Sequence, residues 1–344
     1  MRQLNFLERL QRLFLVSVFS LTASIGFGFV LGGEISWSAA LISVGTGAVI
    51  GIPLFSFEIF FVNSPLGERF RRQPFLFFVL VRAVVWGGWI WVGVWFSAAW
   101  IWQLPPTDLL ISSNTWWTIA FSITLGSLIV MMLALNRLLG QGVLVNILLG
   151  RYHQPREEYR AFLFLDLIGS TAMVERIGAA AFLGVMNRFA YEVDHALEGR
   201  GGRIHSYVGD QVIVTWPIEN SDDLAPAVAT VFSLRRRIAH HADTYGREFG
   251  EVPQFRAALH VGPVAVGEIG DEKREIVLLG ETVNLTARLE QVARELELEF
   301  IVSDTALQYI TPRPGWRVEQ MGQFKPRGSG QKMEVHTIFL EDED

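Results

Sequence analysis

Hydrophobic positions follow two regimes along the chain. Up to about residue 140 they run together with almost no charge between them, and from about residue 160 they come in short groups separated by polar residues. In the first regime the stretches 13–33, 37–62, 75–102 and 116–139 each reach the roughly twenty residues that a helix needs to cross a bilayer. In the second, runs such as 161–165 and 254–260 read as buried strands, and apolar residues at three- and four-residue intervals read as helices.

The expected order in the second regime opens with a strand at 161–165 and a helix over about 171–197. A turn at 199–202 leads into a hairpin of strands 204–207 and 212–216, with Gly209-Asp210 near its tip. A helix over 222–246, opening at Asp222 or Asp223, comes next, then strands at 254–260 and 264–269 around Gly262-Pro263, and another at 275–279. The helix predicted at 282–296 carries Leu285, Leu289, Val292 and Leu296 on one stripe, and strands at 299–302, 317–321 and 335–340 close the sheet. Helices packed on a mostly antiparallel sheet make this an α+β domain. The chain therefore divides into a four-span helical membrane domain (1–140), a connector (141–159) in which Pro155 breaks any continuous helix, and a domain over 160–344.

Composition and charge sharpen this division. Half of the residues are hydrophobic and 11 are Trp, an excess confined to the first 150 or so positions. Arginines cluster at Arg2, Arg9 and Arg12, again at Arg69, Arg71 and Arg72, and again at Arg137, Arg151 and Arg156, while the other two loops carry only Glu34 and Asp108. That alternation predicts a multi-pass protein of the cell inner membrane with both termini cytoplasmic. More apolar spans, rather than a cleavage site, follow the first one, so it reads as an anchor and not as a signal peptide. Glu58 and Arg82 lie inside spans and either pair with each other or leave Arg82 snorkelling to the interface. The net charge of −6, with no basic patch, argues against a nucleic-acid partner. The absence of cysteine excludes disulfides, zinc–thiolate sites and Cys nucleophiles.

Three motifs carry candidate chemistry. The strand 161–165 delivers Asp166, Gly169 turns the backbone, and Ser170 or Thr171 is placed to cap the next helix. An acid beside a helix N-terminus suits a cation and phosphate oxygens together. Asp210 stands in a similar setting in Val208-Gly209-Asp210, and two converging carboxylates can hold two divalent ions for phosphoryl transfer. A lone Asp at a strand end is by default a turn former, and the coincidence of two is what shifts the balance toward chemistry. In the third motif, Asn284 and Arg288 are four apart on one helix, offset from the leucine stripe, where an amide orients a sugar and a guanidinium stabilises charge at phosphorus. His205 and His260 lack partners at ligand spacing and read as core or surface histidines.

In this order and spacing the motifs resemble the class III nucleotidyl cyclases, the adenylyl and guanylyl cyclase homology domain, over about residues 158–340. The resemblance implies a ferredoxin-like α+β cyclase domain. It implies that Asp166, Asp210 and the backbone carbonyl of Leu167 hold two Mg²⁺ or Mn²⁺ ions, and that the turn Ile168, Gly169, Ser170, Thr171 cradles the triphosphate. Asn284 positions the ribose, Arg288 stabilises the transition state, and Arg327 with nearby Lys325 meets the terminal phosphates. Ser206 and Val277 occupy the positions where adenylyl cyclases of the best-known type carry a base-selecting lysine and acid. Base preference then rests on family frequency, with ATP as the expected substrate and GTP as the alternative. Such sites are built across a dimer, so a homodimer with two equivalent sites is expected. The alternative from another class is a catalytically silent nucleotide-binding membrane sensor.

Overall fold

The computed structural model describes residues 6–32, 37–61, 75–100, 150–219, 223–271, 274–324 and 332–341, with isolated positions between 116 and 146. The chain separates into two compact units, Gln3–Leu135 and Asn136–Asp344.

In the first unit, α1 (Phe6–Gly32), α2 (Trp37–Ser56) and α3 (Phe75–Trp100) are the long helices among the described residues. Pro53 lies inside α2 and removes one backbone donor, and a π-helical turn over Phe57–Phe61 follows directly. Leu54, Phe55, Trp86, Ile90 and Val94 form the buried cluster. Arg82 and Glu58 make a two-armed ion pair, with Nε donating to Oε1 at 2.7 Å and Nη2 to Oε2, so pairing and not snorkelling is what the fold adopts. Among the described residues, Ser43–Phe61 is the one helical stretch long and apolar enough to cross a bilayer, while Leu13–Gly26 and Val84–Ser97 are apolar but shorter. That supports one span where the hydrophobic pattern predicts four. The fourth predicted span lies outside the described residues apart from isolated helical positions such as Trp116 and Leu128, and the loop bearing Arg69, Arg71 and Arg72 lies outside them too.

The second unit is an eight-stranded sheet. Its strands are β1 (Arg156–Leu167), β2 (Arg203–Val208), β3 (Gln211–Pro217), β4 (Phe255–Ile269), β5 (Glu275–Leu279), β6 (Phe300–Ser303), β7 (Trp316–Phe324) and β8 (Met333–Leu340). They run in the order β2-β3-β1-β4-β6-β8-β7, with β5 paired to β4 off that path. Among the described residues only β4 and β6 pair in parallel, so the sheet is mostly antiparallel as expected. The helices are α4 (Ser170–Ile177), α5 (Ala179–Ala196), α6 (Ala225–His240), α7 (Ala242–Phe249), α8 (Glu281–Glu295) and the short α9 (Asp304–Leu307).

Alternation along β1 divides the core between the two faces of the sheet. Leu163 and Leu165 pack with Phe189 and Val193 of α5 and Val231 of α6, whereas Phe162 and Phe164 pack with Leu289, Val292 and Ala293 of α8. By the same alternation Asp166 belongs to the α8 face.

Several predicted boundaries change. The single helix expected over 171–197 is broken by Gly178 (φ +82), where the chain ends one helix and starts another. The helix expected over 222–246 is likewise two, α6 and α7. Asp223 stands before α6, its Oδ1 accepting from Ala225 N at 2.8 Å, while Asp222 lies outside the described residues. Gly262-Pro263 does not interrupt β4, which runs through as 15 residues. At that level β4 is paired on one side only, by β1, because its pairing with β6 stops at Leu259 and with β5 starts at Ala265. Proline is tolerated at such a local edge, where its missing N–H faces no partner strand.

Candidate active site

The site is set by register. Antiparallel pairing of β1 with β3 puts Asp166 opposite Gln211, the residue after Asp210. Asp210 itself sits in the two-residue turn between β2 and β3, where Gly209 takes φ +63 as a tight hairpin requires at its first central position. Asp166 is only 7 % exposed and Asp210 is half-buried.

Beyond Asp166 the backbone turns at once. Gly169, with φ +71, is the N-cap of α4, and no side chain caps the helix. Ser170 and Thr171 are therefore first-turn residues rather than the cap expected of them. The Ile168 N–H donates to Gln254 O at 2.8 Å and is already engaged, whereas the N–H groups of Ser170 and Thr171 precede Met173, the first intrahelical donor, which bonds Gly169 O. The anion-facing part of the turn is accordingly its C-terminal half.

Two residues that the sequence reading missed complete the acidic side. Arg294 of α8 donates through Nη2 to Asp166 Oδ2 at 3.2 Å and to Glu290 Oε1 at 3.2 Å, and Glu290 is buried. As an i, i+4 acid–base pair they look like ordinary helix surface, and only the packing of α8 against β1 turns them toward Asp166. Burial pushes the Asp166 carboxyl up to about 6, with Glu290 and then Asp210 adding to the rise and Arg294 opposing it. Three carboxylates against one guanidinium leave surplus negative charge, and an all-oxygen donor set suits Mg²⁺ or Mn²⁺. The residues present thus fit the divalent ions that the resemblance implies.

α8 begins where Thr282 Oγ1 donates to Pro263 O at 2.6 Å, fixing the helix to β4. Asn284 is exposed and Arg288 half-buried, and among the described residues neither has a hydrogen-bonding or ionic partner. At 3.6 residues per turn the pair lies about 150° round the helix from the buried line of Thr282, Thr286, Leu289 and Ala293. Asn284 and Arg288 are thus not brought to Asp166 within one chain. Ser206 is half-buried on β2, immediately after a bulge at His205, and Val277 is half-buried on β5 opposite Gly267. Lys325 and Arg327 lie outside the described residues. His260 is a satisfied core histidine as expected, with Nδ1 2.8 Å from Ser303 Oγ, and burial holds it neutral with its pKa lowered to about 4.

A sheet of this order, with paired acids at the β1 end and the hairpin turn, is the frame of a class III nucleotidyl cyclase domain. The adenylate and guanylate cyclase catalytic domain matches residues 152–342, and the chain belongs to that family. Adenylate cyclase 2 of Rhizobium meliloti (strain 1021) is 33% identical over 317 residues, covering 87% of this chain and 85% of the relative. That likeness is longer than the catalytic domain and so extends into the apolar unit. Guanylate cyclase 2G of Mus musculus is 24% identical over 202 residues, 57% of this chain but only 18% of the relative's length. A solved bacterial light-regulated adenylyl cyclase superposes with a TM-score of 0.54 at 18% identity, covering 64% of this chain and 63% of that one, a likeness of fold. The protein is an enzyme of the cyclase type.

Proposed function

We propose that the chain is a membrane-anchored adenylate cyclase that converts ATP into 3′,5′-cyclic AMP and pyrophosphate at sites shared between two copies of itself. The observation that carries this reading is the division of labour on α8. Glu290 and Arg294 close onto Asp166 of their own chain, while Asn284 and Arg288 face away from their own sheet without a partner among the described residues.

Asp166, the Leu167 carbonyl and Asp210 would hold two Mg²⁺ or Mn²⁺ ions, which when bound neutralise phosphate charge and acidify the ribose 3′-hydroxyl. The turn Ile168–Thr171 receives the triphosphate, with the Ser170 and Thr171 amides as its donors. Asn284 of the second copy orients the ribose, and Arg288 of that copy stabilises the charge that develops at the α-phosphorus. Lys325 and Arg327 are assigned to the terminal phosphates, and Ser206 and Val277 to the base. The 3′-oxygen attacks the α-phosphorus in line, the bond to the β-phosphate bridging oxygen breaks, and pyrophosphate leaves. Two identical sites follow from two-fold symmetry. The apolar unit is the anchor, with four spans in the cell inner membrane and both termini cytoplasmic. Ser43–Phe61 supports one of these spans, and the other three and the orientation rest on the hydrophobic pattern and the alternation of arginines.

The full chain in lipid vesicles, given ATP or GTP with Mn²⁺, should form cyclic AMP. Asp166→Ala and Arg288→Ala should each lower it at least about a hundredfold, and mixing the two impaired chains should restore part of the activity, since a heterodimer regains one intact site. Cyclic GMP as sole product would replace the substrate, and absence of any product would remove the activity. Absence of recovery on mixing would end the shared-site geometry.

A further inference from the structure

The sheet carries a second group of metal-ligating side chains away from the catalytic acids. Glu334 and His336 are two apart on β8 and so share one of its faces. Asp304 opens α9 directly after β6, whose Val302 and Ser303 pair with His336 and Val335. One ligating atom from each of Asp304, Glu334 and His336 lies within 4.8 Å of the others. Since β8 is three strand steps from β1, the group stands about 14 Å or more from Asp166.

The buried member points to a ligand. His336 is 9% exposed, and its Nε2 is shielded from solvent and has no hydrogen-bond partner. The nearest acid oxygen is Asp304 Oδ1 at 3.9 Å, too far for a hydrogen bond. A buried ring nitrogen left without a partner is costly, so this atom calls for one. The two acids are meanwhile held from outside the group. Gln308 Nε2 donates to Asp304 Oδ2 at 3.2 Å, and Gln323 Nε2 donates to Glu334 Oε1 at 3.1 Å. Each carboxylate is thereby steadied on one oxygen with the other left for coordination, the arrangement by which outer amides orient metal ligands.

We propose that Asp304, Glu334 and His336 bind a divalent first-row transition ion, for which Zn²⁺ is the best match, with solvent completing its coordination. One imidazole nitrogen with two carboxylates matches the donor preference of Zn²⁺, whereas Mg²⁺ and Ca²⁺ take oxygen alone. The two carboxylates balance the ion's charge, and the bound ion ties α9 to β8.

The test uses the full chain carrying Asp166→Asn and Asp210→Asn, so that the catalytic pair does not compete. It is titrated with Zn²⁺ by calorimetry and with Co²⁺ by visible absorption, both in excess Mg²⁺. One ion should bind per chain, and adding His336→Gln or Asp304→Asn should weaken binding at least about tenfold. The Asp304 side chain is half-exposed, so Asp304→Asn decides the matter even where His336→Gln fails to fold. Affinity unchanged in Asp304→Asn, lack of saturable binding, or displacement of Zn²⁺ by Mg²⁺ would overturn the assignment.

Discussion

Glu290 with Arg294 and Asn284 with Arg288 are two i, i+4 pairs on the same helix, about 120° apart around it at 3.6 residues per turn. The first pair is spent within the chain, with Glu290 buried and Arg294 bonded to both Glu290 and Asp166. The second faces away from the sheet and makes no hydrogen bond or ion pair with a described residue. Arg294 offsets part of the acidic charge within its own chain, whereas Asn284 and Arg288 keep their polar groups unengaged by described residues, as the proposed shared site requires. A helix that looks uniformly polar on its outer side therefore presents two different environments.

Arg288→Ala puts the contrast under the strongest test. If the guanidinium acts only on the reacting phosphate, turnover should fall about 10²- to 10³-fold while Mn²⁺ binding, read by electron paramagnetic resonance, stays unchanged. Equal loss of Mn²⁺ binding would mean that the two pairs are not separate. A smaller effect comes from pH. The Asp166 carboxyl is pushed up to about 6, and its deprotonated form is the one that binds a cation. Above that pH affinity should be level, and below it the proton wins, so Mn²⁺ affinity should fall by up to about tenfold per pH unit. A flat profile between about pH 7 and about pH 5 would remove Asp166 from the metal site. The smallest effect belongs to Arg294→Ala. Removing a competing cation from Asp166 should tighten Mn²⁺ binding roughly threefold to tenfold, as expected for a partly screened charge. Weaker binding instead would show that Arg294 holds the carboxylate in place.

What could be read from the sequence was local. Asp166 at a strand end and Asp210 beside a hairpin glycine are each signalled within six residues or so, by apolar runs and by turn chemistry. Glu290 and Arg294 escaped because their role depends on contact with β1, more than a hundred residues earlier, and their own spacing is that of any solvated helix face. Gly262-Pro263 misled for the opposite reason. Taken alone the dipeptide marks a turn, and only the missing neighbour strand at that level explains why β4 continues. Asp304 and His336 likewise meet only through the pairing of β6 with β8.

Gly262 has a further consequence. A Cβ there would lie 2.5 Å from Thr282 Oγ1, so the opening turn of α8 rests on bare strand backbone. Asn284, two residues on, thus inherits its position from β4 through rigid contact and not through a hinge. Were β4 to slide against β1, the amide would travel with it, and in the proposed dimer its distance from the other copy's Asp166 would change by the same stroke. A single added methyl at that point would act as a shim, lifting the start of α8 from β4 and shifting Asn284 with it.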